Sequence, residues 1–294
     1  MSTEAVHRFG QKTFGPWGNH TSTIDWCEDN YSHWSLVAEF WNTASNIPFI
    51  LLGIFGMLST RRLIGIPLRA RLRAALAHSF LTTIGVGSFI FHSTLLWHAQ
   101  VILDELPMLW SASMALYLTT VGGAEKGSTR LKVLMIAIPA GLSLLYLSYP
   151  NPVLHQVAYA SMQGVTILHV TQLFKGLPKA TAEQARVRNE CKGHFYKAMA
   201  MCLLGFAIWN VDNIFCDQLT AFRASHGEIV GGLTQGHAWW HLLMGLGASR
   251  AITAMTFLSQ AASRPDNFEF GRFLGLPYVR TVSTRVSGST HKEL

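Results

Sequence analysis

Charged side chains are scarce in this chain of 294 residues, where Asp, Glu, Lys and Arg together make up 13% of the positions. A soluble globule of this size needs more charge than that to keep its surface hydrated. The sequence therefore excludes an ordinary soluble domain and predicts an integral membrane protein. Apolar runs near the roughly 20 residues that cross a hydrocarbon core recur along the chain. We place seven of them, at 34–58, 74–95, 101–121, 131–149, 153–174, 198–219 and 236–260.

The two ends of the chain lack such runs. No cleavable signal peptide is visible in the first 33 residues, so we expect the first span itself to act as the insertion signal. The last residues are polar, with Ser, Thr, Arg and Gly in excess. We therefore divide the chain into an amino-terminal segment (1–33), an all-α domain of seven transmembrane helices (34–260) and a tail (261–294) that we expect to be disordered.

Basic residues are shared unevenly between the two sides of the predicted spans. A net charge of +7 would suit a nucleic-acid partner. However, 19 of the basic residues fall in alternate loops and the tail, whereas the opposite side holds Arg8, Lys12 and Arg223. This is the positive-inside pattern of a lumenal amino terminus and a cytosolic carboxyl terminus. The charge therefore reports topology, and we expect no nucleic-acid partner.

Two short motifs bear on that orientation. Residues 19–21 (Asn-His-Thr) form a glycosylation sequon that is usable only if the amino-terminal segment is lumenal, and a chance tripeptide is the alternative. Residues 291–294 (His-Lys-Glu-Leu) look like a lumenal retrieval signal and point the other way. Because this match is imperfect and the charge bias is strong, we keep the cytosolic tail.

Cysteine is also scarce, and its four copies are too few for a disulfide framework. Cys27 precedes the first span and Cys216 ends the sixth, so both fall on the predicted lumenal side, where oxidation is possible. We predict a disulfide between them, with two free thiols as the alternative. Cys191, in a cytosolic loop, and Cys202, within a span, should stay reduced.

Histidines stand at the lumenal ends of two predicted spans. His237 and His241 are four residues apart, so on a helix both imidazoles project from one face. His92 ends the second span, which brings it to the same depth. Three protein nitrogens leave a fourth tetrahedral position for water, as in catalytic zinc sites. One histidine in a membrane is more often a packing residue, but three that converge predict an intramembrane zinc site.

Two further polar residues adjoin this predicted site. Asp104 opens the third span and can orient or deprotonate the metal-bound water and protonate a leaving amine. Its alternative role is that of a helix N-cap. Ser88 lies one turn before His92 and can hold a substrate carbonyl or stabilise an oxyanion. Beside Gly85 and Gly87, it can equally serve close helix packing.

Carboxylates are dense just before the first span. Asp25, Glu28, Asn30 and Glu39 offer hard oxygen ligands, and the backbone carbonyl of Trp26 can complete a shell for calcium. The alternative is a solvated acidic face in which Asp or Asn caps the following helix. Glu39 favours the ion, because a carboxylate entering an apolar helix needs a charge partner.

Five strings of this sequence resemble those of the alkaline ceramidases. They are 22–30 (STIDWCEDN), 38–43 (AEFWNT), 104–108 (DELPM), 209–216 (WNVDNIFC) and 237–241 (HAWWH). That family is part of a superfamily of seven-helix presumed metal hydrolases that also includes the adiponectin-receptor type. The resemblance covers residues from about 14 to 260. It implies hydrolysis of the ceramide amide bond to a sphingoid base and a fatty acid, in the membrane of the endoplasmic reticulum or Golgi.

The resemblance also implies a role for each site residue. It implies zinc ligation by His92, His237 and His241, catalysis by Asp104 and Ser88, and calcium ligation by Asp25, Trp26, Glu28, Asn30 and Glu39. It supports the Cys27–Cys216 link. Asn30 begins a second sequon (30–32), but a calcium ligand should not carry a glycan. For Asn210, Asp212 and Asn213, the sequence does not separate substrate contact from hydrogen bonding between helices.

Two other functions compete with this hypothesis. One is a receptor of the adiponectin-receptor type with a structural zinc ion, against which the amino-terminal acidic cluster argues. The other is a structural membrane protein without metal. For the hydrolase we expect the bilayer and a ceramide as partners and no obligate protein partner. Fungal members of the family tend toward phytoceramide and dihydroceramide, but the preferred ceramide depends on pocket shape.

Overall fold

A computed structural model describes residues 13–124, 127–261 and 267–282 of the chain. These residues are 75% helical. In this described part of the chain nine α-helices make up most of the fold, with a π-helical segment (Ala99–Glu105) leading into the fourth helix and a short 3-10 turn (Thr60–Arg62) after the second. The helices are α1 (Phe40–Ala44), α2 (Asn46–Ser59), α3 (Leu68–Thr94), α4 (Leu106–Val121), α5 (Thr129–Ser148), α6 (Pro152–Gly176), α7 (Ala182–Ile214), α8 (Cys216–Leu233) and α9 (Gly236–Ala261).

Five stretches within the described residues are long and apolar enough to cross a membrane. They are Phe40–Arg62, Leu68–Thr94, Ala99–Val121, Thr129–Ser148 and Cys216–Gln260. The chain is therefore a helical membrane protein, as the sequence predicts. Helices α6 and α7, with 25 and 33 residues, are long enough but carry more polar side chains, and they are not among the five. The count of seven spans stays a prediction.

Several helix boundaries differ from those predicted. The first span begins at Phe40 and not at residue 34, because the backbone N–H groups of Ala38 and Glu39 bond to α3 and not within a helix of their own. Helix α7 begins at Ala182, well before the predicted residue 198, and absorbs most of the predicted cytosolic loop. Thr181 caps its first turn by accepting a hydrogen bond from the backbone of Gln184.

The main apolar core lies where α2, α3, α4, α7 and α9 meet, around residues such as Leu118, Phe195 and Phe257. Glycines let α3 pack closely on its neighbours. A methyl group on Gly85 would meet the Phe49 ring and the backbone of Ile50 at about 3 Å, and one on Gly87 would meet the Leu103 carbonyl oxygen at 1.8 Å.

The amino-terminal segment packs over the end of α3. This helix ends with Leu95 in the left-handed conformation (φ 53°), and its last carbonyls have no partner in their own helix. The backbone N–H groups of Thr21 and Ser22 donate hydrogen bonds to the carbonyl oxygen of Leu95. The backbone N–H of Glu39 donates one to the carbonyl oxygen of His92 at 3.0 Å. The segment is thereby fixed on the helix that carries His92.

The predicted disulfide is confirmed. Cys27 and Cys216 are bonded, with their Cα atoms 5.5 Å apart, so the alternative of two free thiols at these positions is wrong. Cys191 and Cys202 are free, as expected.

The expectation of a disordered tail is wrong for residues 268–281. Two antiparallel strands, β3 (Phe268–Phe273) and β4 (Leu276–Thr281), form a hairpin there. Phe268 and Val279 are buried in the main core, and Phe270 stacks on Phe257 of α9 at 4.5 Å. Alternate side chains of the hairpin thus cover the helix ends. Residues 283–294, which include the possible retrieval signal, lie outside the described residues.

A smaller hairpin precedes the first span. It pairs β1 (Phe14–Gly15) with β2 (Gly18–Asn19), and it presents Asn19 to solvent while His20 is buried beside Tyr31.

Candidate metal centre

The three predicted histidine ligands meet at one point. His92 comes from the last turns of α3, and His237 and His241 come from successive turns of α9. Their candidate ligand atoms all lie within 4.8 Å of one another, and all three side chains are buried. His237 Nδ1 is buried without a hydrogen-bond partner among the described residues. An orphaned imidazole nitrogen inside a three-histidine cluster fits a metal ligand set, so this part of the sequence prediction is consistent with the geometry.

Hydrogen bonds orient two of the rings. Glu39 Oε2 is 2.5 Å from His92 Nδ1, and Ser45 Oγ is 2.8 Å from His241 Nδ1. Groups that hold the second nitrogen of a metal-binding histidine fix its tautomer and direction. Sequence reasoning missed Ser45. The available signal was a polar Ser-Asn pair inside an otherwise apolar span.

The third ring is held by stacking. The His237 ring stacks on the Trp26 indole, with ring centroids 4.0 Å apart and planes inclined by 26°. Trp26 therefore contacts the histidine cluster with its side chain, a role that sequence reasoning did not assign to it.

Ser88 and Asp104 lie beside the cluster. Ser88 is buried on α3, with its hydroxyl 3.4 Å from His241 Nε2, and Asp104 lies close to this part of α3, its backbone nitrogen being 2.9 Å from where a Cβ on Gly87 would be. Asp104 is within the π-helical segment and is not the N-cap of α4, so its alternative role as a cap is wrong. Close packing in this part of α3 is provided by Gly85 and Gly87, which leaves the Ser88 hydroxyl available to the site.

The acidic cluster is buried rather than solvated. Asp25, Glu28, Asn30 and Glu39 are exposed by 6%, 1%, 4% and 0%. The alternative of a solvated acidic face is therefore wrong. That alternative also expected an Asp or Asn to cap the following helix. The start of α1 is instead capped by Glu28, which accepts hydrogen bonds from the backbone N–H groups of Trp41 and Asn42.

The pKa of Glu28, in this cluster, is shifted. Burial, together with the neighbouring Glu39 carboxylate, raises the pKa of Glu28 to about 8, and Arg223 opposes this rise only weakly. The Arg223 guanidinium itself pairs with a fourth buried carboxylate, that of Asp212, at 3.0 Å. Hard oxygen donors at this density suit a divalent ion such as calcium.

Three polar residues left open by the sequence can now be placed. Asn210 and Asn213 donate hydrogen bonds to the carbonyls of Phe206 and Trp209 on their own helix. Asp212 instead accepts hydrogen bonds from Arg223 and from the backbone N–H of Gly236, the first residue of α9.

Together these features define a class of protein: a helical membrane protein with a buried three-histidine centre and an adjoining buried acidic cluster. The chain belongs to the Ceramidase family, whose family model matches residues 18–280.

Named relatives share most of their length with the chain. It is 38% identical over 240 residues to alkaline ceramidase 3 of Mus musculus, and the aligned part covers 80% of this chain and 82% of the relative. It is 30% identical over 258 residues to alkaline ceramidase YPC1 of Saccharomyces cerevisiae (83% and 78%). It is 29% identical over 265 residues to alkaline ceramidase of Arabidopsis thaliana (90% and 94%).

Proposed function

We propose that this protein is a zinc-dependent alkaline ceramidase that hydrolyses the amide bond of a ceramide to a sphingoid base and a free fatty acid. The observation that carries the proposal is the convergence of His92, His237 and His241 beside Ser88 and Asp104. Family membership supports the substrate class. The receptor alternative has no comparable support, because the named relatives are ceramidases.

The three histidines would hold the zinc ion. Zinc bound there would supply a Lewis acid and lower the pKa of a water molecule. Glu39 and Ser45 keep two of the rings in place through their Nδ1 atoms, and Trp26 supports the third by stacking.

Asp104 and Ser88 would handle the proton and the developing charge. The Asp104 carboxylate can take a proton from the attacking water and give it to the leaving amine, which must be protonated to depart. The Ser88 hydroxyl can donate a hydrogen bond to the carbonyl oxygen as negative charge develops there.

Asp25, Glu28, Asn30, Glu39 and the Trp26 carbonyl would bind calcium. Their burial and the density of their oxygen donors support this assignment. Glu39 can belong to both sites, because its Oε2 contacts His92 whereas its Oε1 is buried without a hydrogen-bond partner among the described residues. Loss of calcium is therefore expected to loosen the position of His92.

For the membrane arrangement we propose seven spans in the endoplasmic reticulum or Golgi, with α6 and α7 completing the five apolar stretches. The amino terminus would be lumenal and the carboxyl terminus cytosolic. The distribution of basic residues and the disulfide, which needs an oxidising compartment, support this orientation. We further propose that residues 1–33 form a lumenal calcium-binding segment and 34–260 the ceramidase domain.

The test is release of sphingoid base by the purified protein, with and without a chelator, alongside elemental analysis. His241→Ala should abolish turnover and lower zinc content. The control is His98→Ala, because His98 is exposed and follows the end of α3 that carries His92. This variant should keep wild-type turnover and zinc content. Normal turnover in His241→Ala with normal zinc content would refute the ligand assignment. Bound zinc without turnover of any ceramide in a panel would favour the receptor alternative.

A further inference from the structure

We infer that Asn19 carries an N-linked glycan and that Asn30 does not. The chain contains two sequons, at residues 19–21 and 30–32. Asn19 is exposed on the small amino-terminal hairpin, whereas the Asn30 side chain is 4% exposed within the acidic cluster. A glycan needs an outward path for its whole length, so only Asn19 can carry one in this fold.

This inference depends on the lumenal amino terminus of the proposed function. Residue 19 is eight residues from Cys27, and the Cys27–Cys216 disulfide requires oxidising surroundings on that side. In the reaction, the Asn19 amide nitrogen forms a bond to C1 of an oligosaccharide carried on a polyprenyl diphosphate. The bond from C1 to the diphosphate breaks, the amide loses one proton, and the lipid diphosphate leaves.

The experiment expresses the full chain in eukaryotic cells and compares its mobility before and after glycan-removing amidase. Wild type and Ser32→Ala, which removes the second sequon but keeps the Asn30 side chain, should each shift by one glycan, and Asn19→Gln should not shift. A shift that persists in Asn19→Gln, or an unshifted wild type, overturns the inference. Ceramide turnover and the disulfide are measured on the same samples, so failure of the glycan is distinguishable from failure of the proposed function.

A second inference, which rests on the zinc site of the proposed function, concerns Arg223 and Asp212, which we propose are positioning residues for His237. Arg223 is buried and joins four parts of the chain. It donates hydrogen bonds to the Cys27 carbonyl at 2.7 Å, to Asp212 at 3.0 Å and to the Thr234 carbonyl at 2.6 Å. The amino-terminal segment, α7 and α8 are thereby tied to the residues just before α9.

Asp212 also contacts the first residue of α9, next to the predicted zinc ligand His237. Its carboxylate accepts the backbone N–H of Gly236 at 3.1 Å, one residue before His237. A methyl group at Gly236 would meet the Asp212 side chain at about 2.7 Å, so a glycine is needed for this approach. The pair therefore fixes the first turn of α9, and with it the His237 ring.

The experiment measures zinc affinity of the purified protein by chelator competition and the absorption spectrum of the cobalt-substituted form. Asp212→Asn and Arg223→Lys are conservative and should weaken zinc binding about 10-fold or more, as partners of metal ligands do. They should also alter the cobalt bands. The control is Arg186→Lys, in the exposed Glu183–Arg186 pair on the same helix as Asp212, which should change neither. Folded Asp212→Asn and Arg223→Lys proteins with wild-type zinc affinity and cobalt spectra would overturn the inference.

Discussion

Replacement of Gly87 by alanine is the sharpest test of the site geometry, because Gly87 is neither a proposed ligand nor a proposed catalytic residue. An alanine Cβ at this position would lie 1.8 Å from the carbonyl oxygen of Leu103 and 2.9 Å from the backbone nitrogen of Asp104. Ordinary contact begins at 3.4 Å. The obstructing atoms are backbone, so α3 and the π-helical segment must move apart as units.

The required displacement sets the size of the effect. It exceeds the roughly 1 Å misplacement that typically costs a catalytic site about 100-fold. We therefore expect kcat to fall by about 100-fold, or about 2.7 kcal/mol in the barrier. Overpacking should lower stability by about 1–3 kcal/mol. Zinc content should stay near that of wild type if the π-helical segment moves and α3 does not, because that segment contains Asp104 but none of the three histidines.

The assay is steady-state release of sphingoid base, with thermal unfolding and zinc content measured on the same preparation. Gly164→Ala in α6 is the matched control, because nothing lies within 4 Å of its added methyl group. It should keep wild-type activity. Wild-type kcat in Gly87→Ala would refute the argument that close packing of Gly87 positions Asp104, and a loss of activity explained by a loss of zinc would move the effect to the histidines.

Three further predictions follow from the same contacts. Glu39→Gln should weaken zinc affinity by about 10- to 100-fold, because the group that orients His92 loses its charge; unchanged affinity in chelator competition would contradict this. Cys27→Ser should lower the thermal midpoint relative to Cys202→Ser, which removes a free thiol, and equal midpoints would show that the disulfide does not stabilise the fold. Without calcium, Glu28 keeps its proton up to about pH 8 in the folded protein but loses it near 4.5 when unfolded, so stability should fall as pH rises through this range. Calcium must displace that proton, so calorimetry should show calcium affinity rising with pH up to about 8, and a pH-independent affinity would exclude Glu28 as a ligand.

The histidine cluster was predictable because it follows from helical spacing and from where apolar runs end. His237 and His241 share a helix face by their spacing, and the end of an apolar run sets the depth of His92. The contact of Glu39 with His92 was not predictable in this way, since it depends on the path of a non-helical segment across the end of another helix. The contact of Ser45 with His241 was not predictable either. It joins the junction of α1 and α2 to α9, and no spacing within one helix indicates it.

The carboxyl-terminal hairpin shows a different limit. Its strands alternate buried and exposed residues in part, but the turn between them contains Leu274 (φ 48°) and Gly275 (φ 79°). Turns with two positive φ angles usually begin with Asn, Asp or Gly. A leucine there gave no turn signal, and the polar residues that follow suggested disorder. Packing of Phe268 and Phe270 on α9 outweighs the local preference of Leu274.

The end of α3 explains why the amino-terminal segment cannot be separated from the proposed catalytic domain. A helix that ends at the site leaves carbonyls that need donors, and water is a poor supply at membrane depth. The backbone of residues 21–39 provides those donors, including the N–H of Glu39 on the carbonyl of His92. The same residue then brings its carboxylate to the His92 ring. Satisfying the helix end therefore places the acidic cluster against the histidines, so the segment proposed for residues 1–33 and the domain proposed for 34–260 pack as one unit across their boundary.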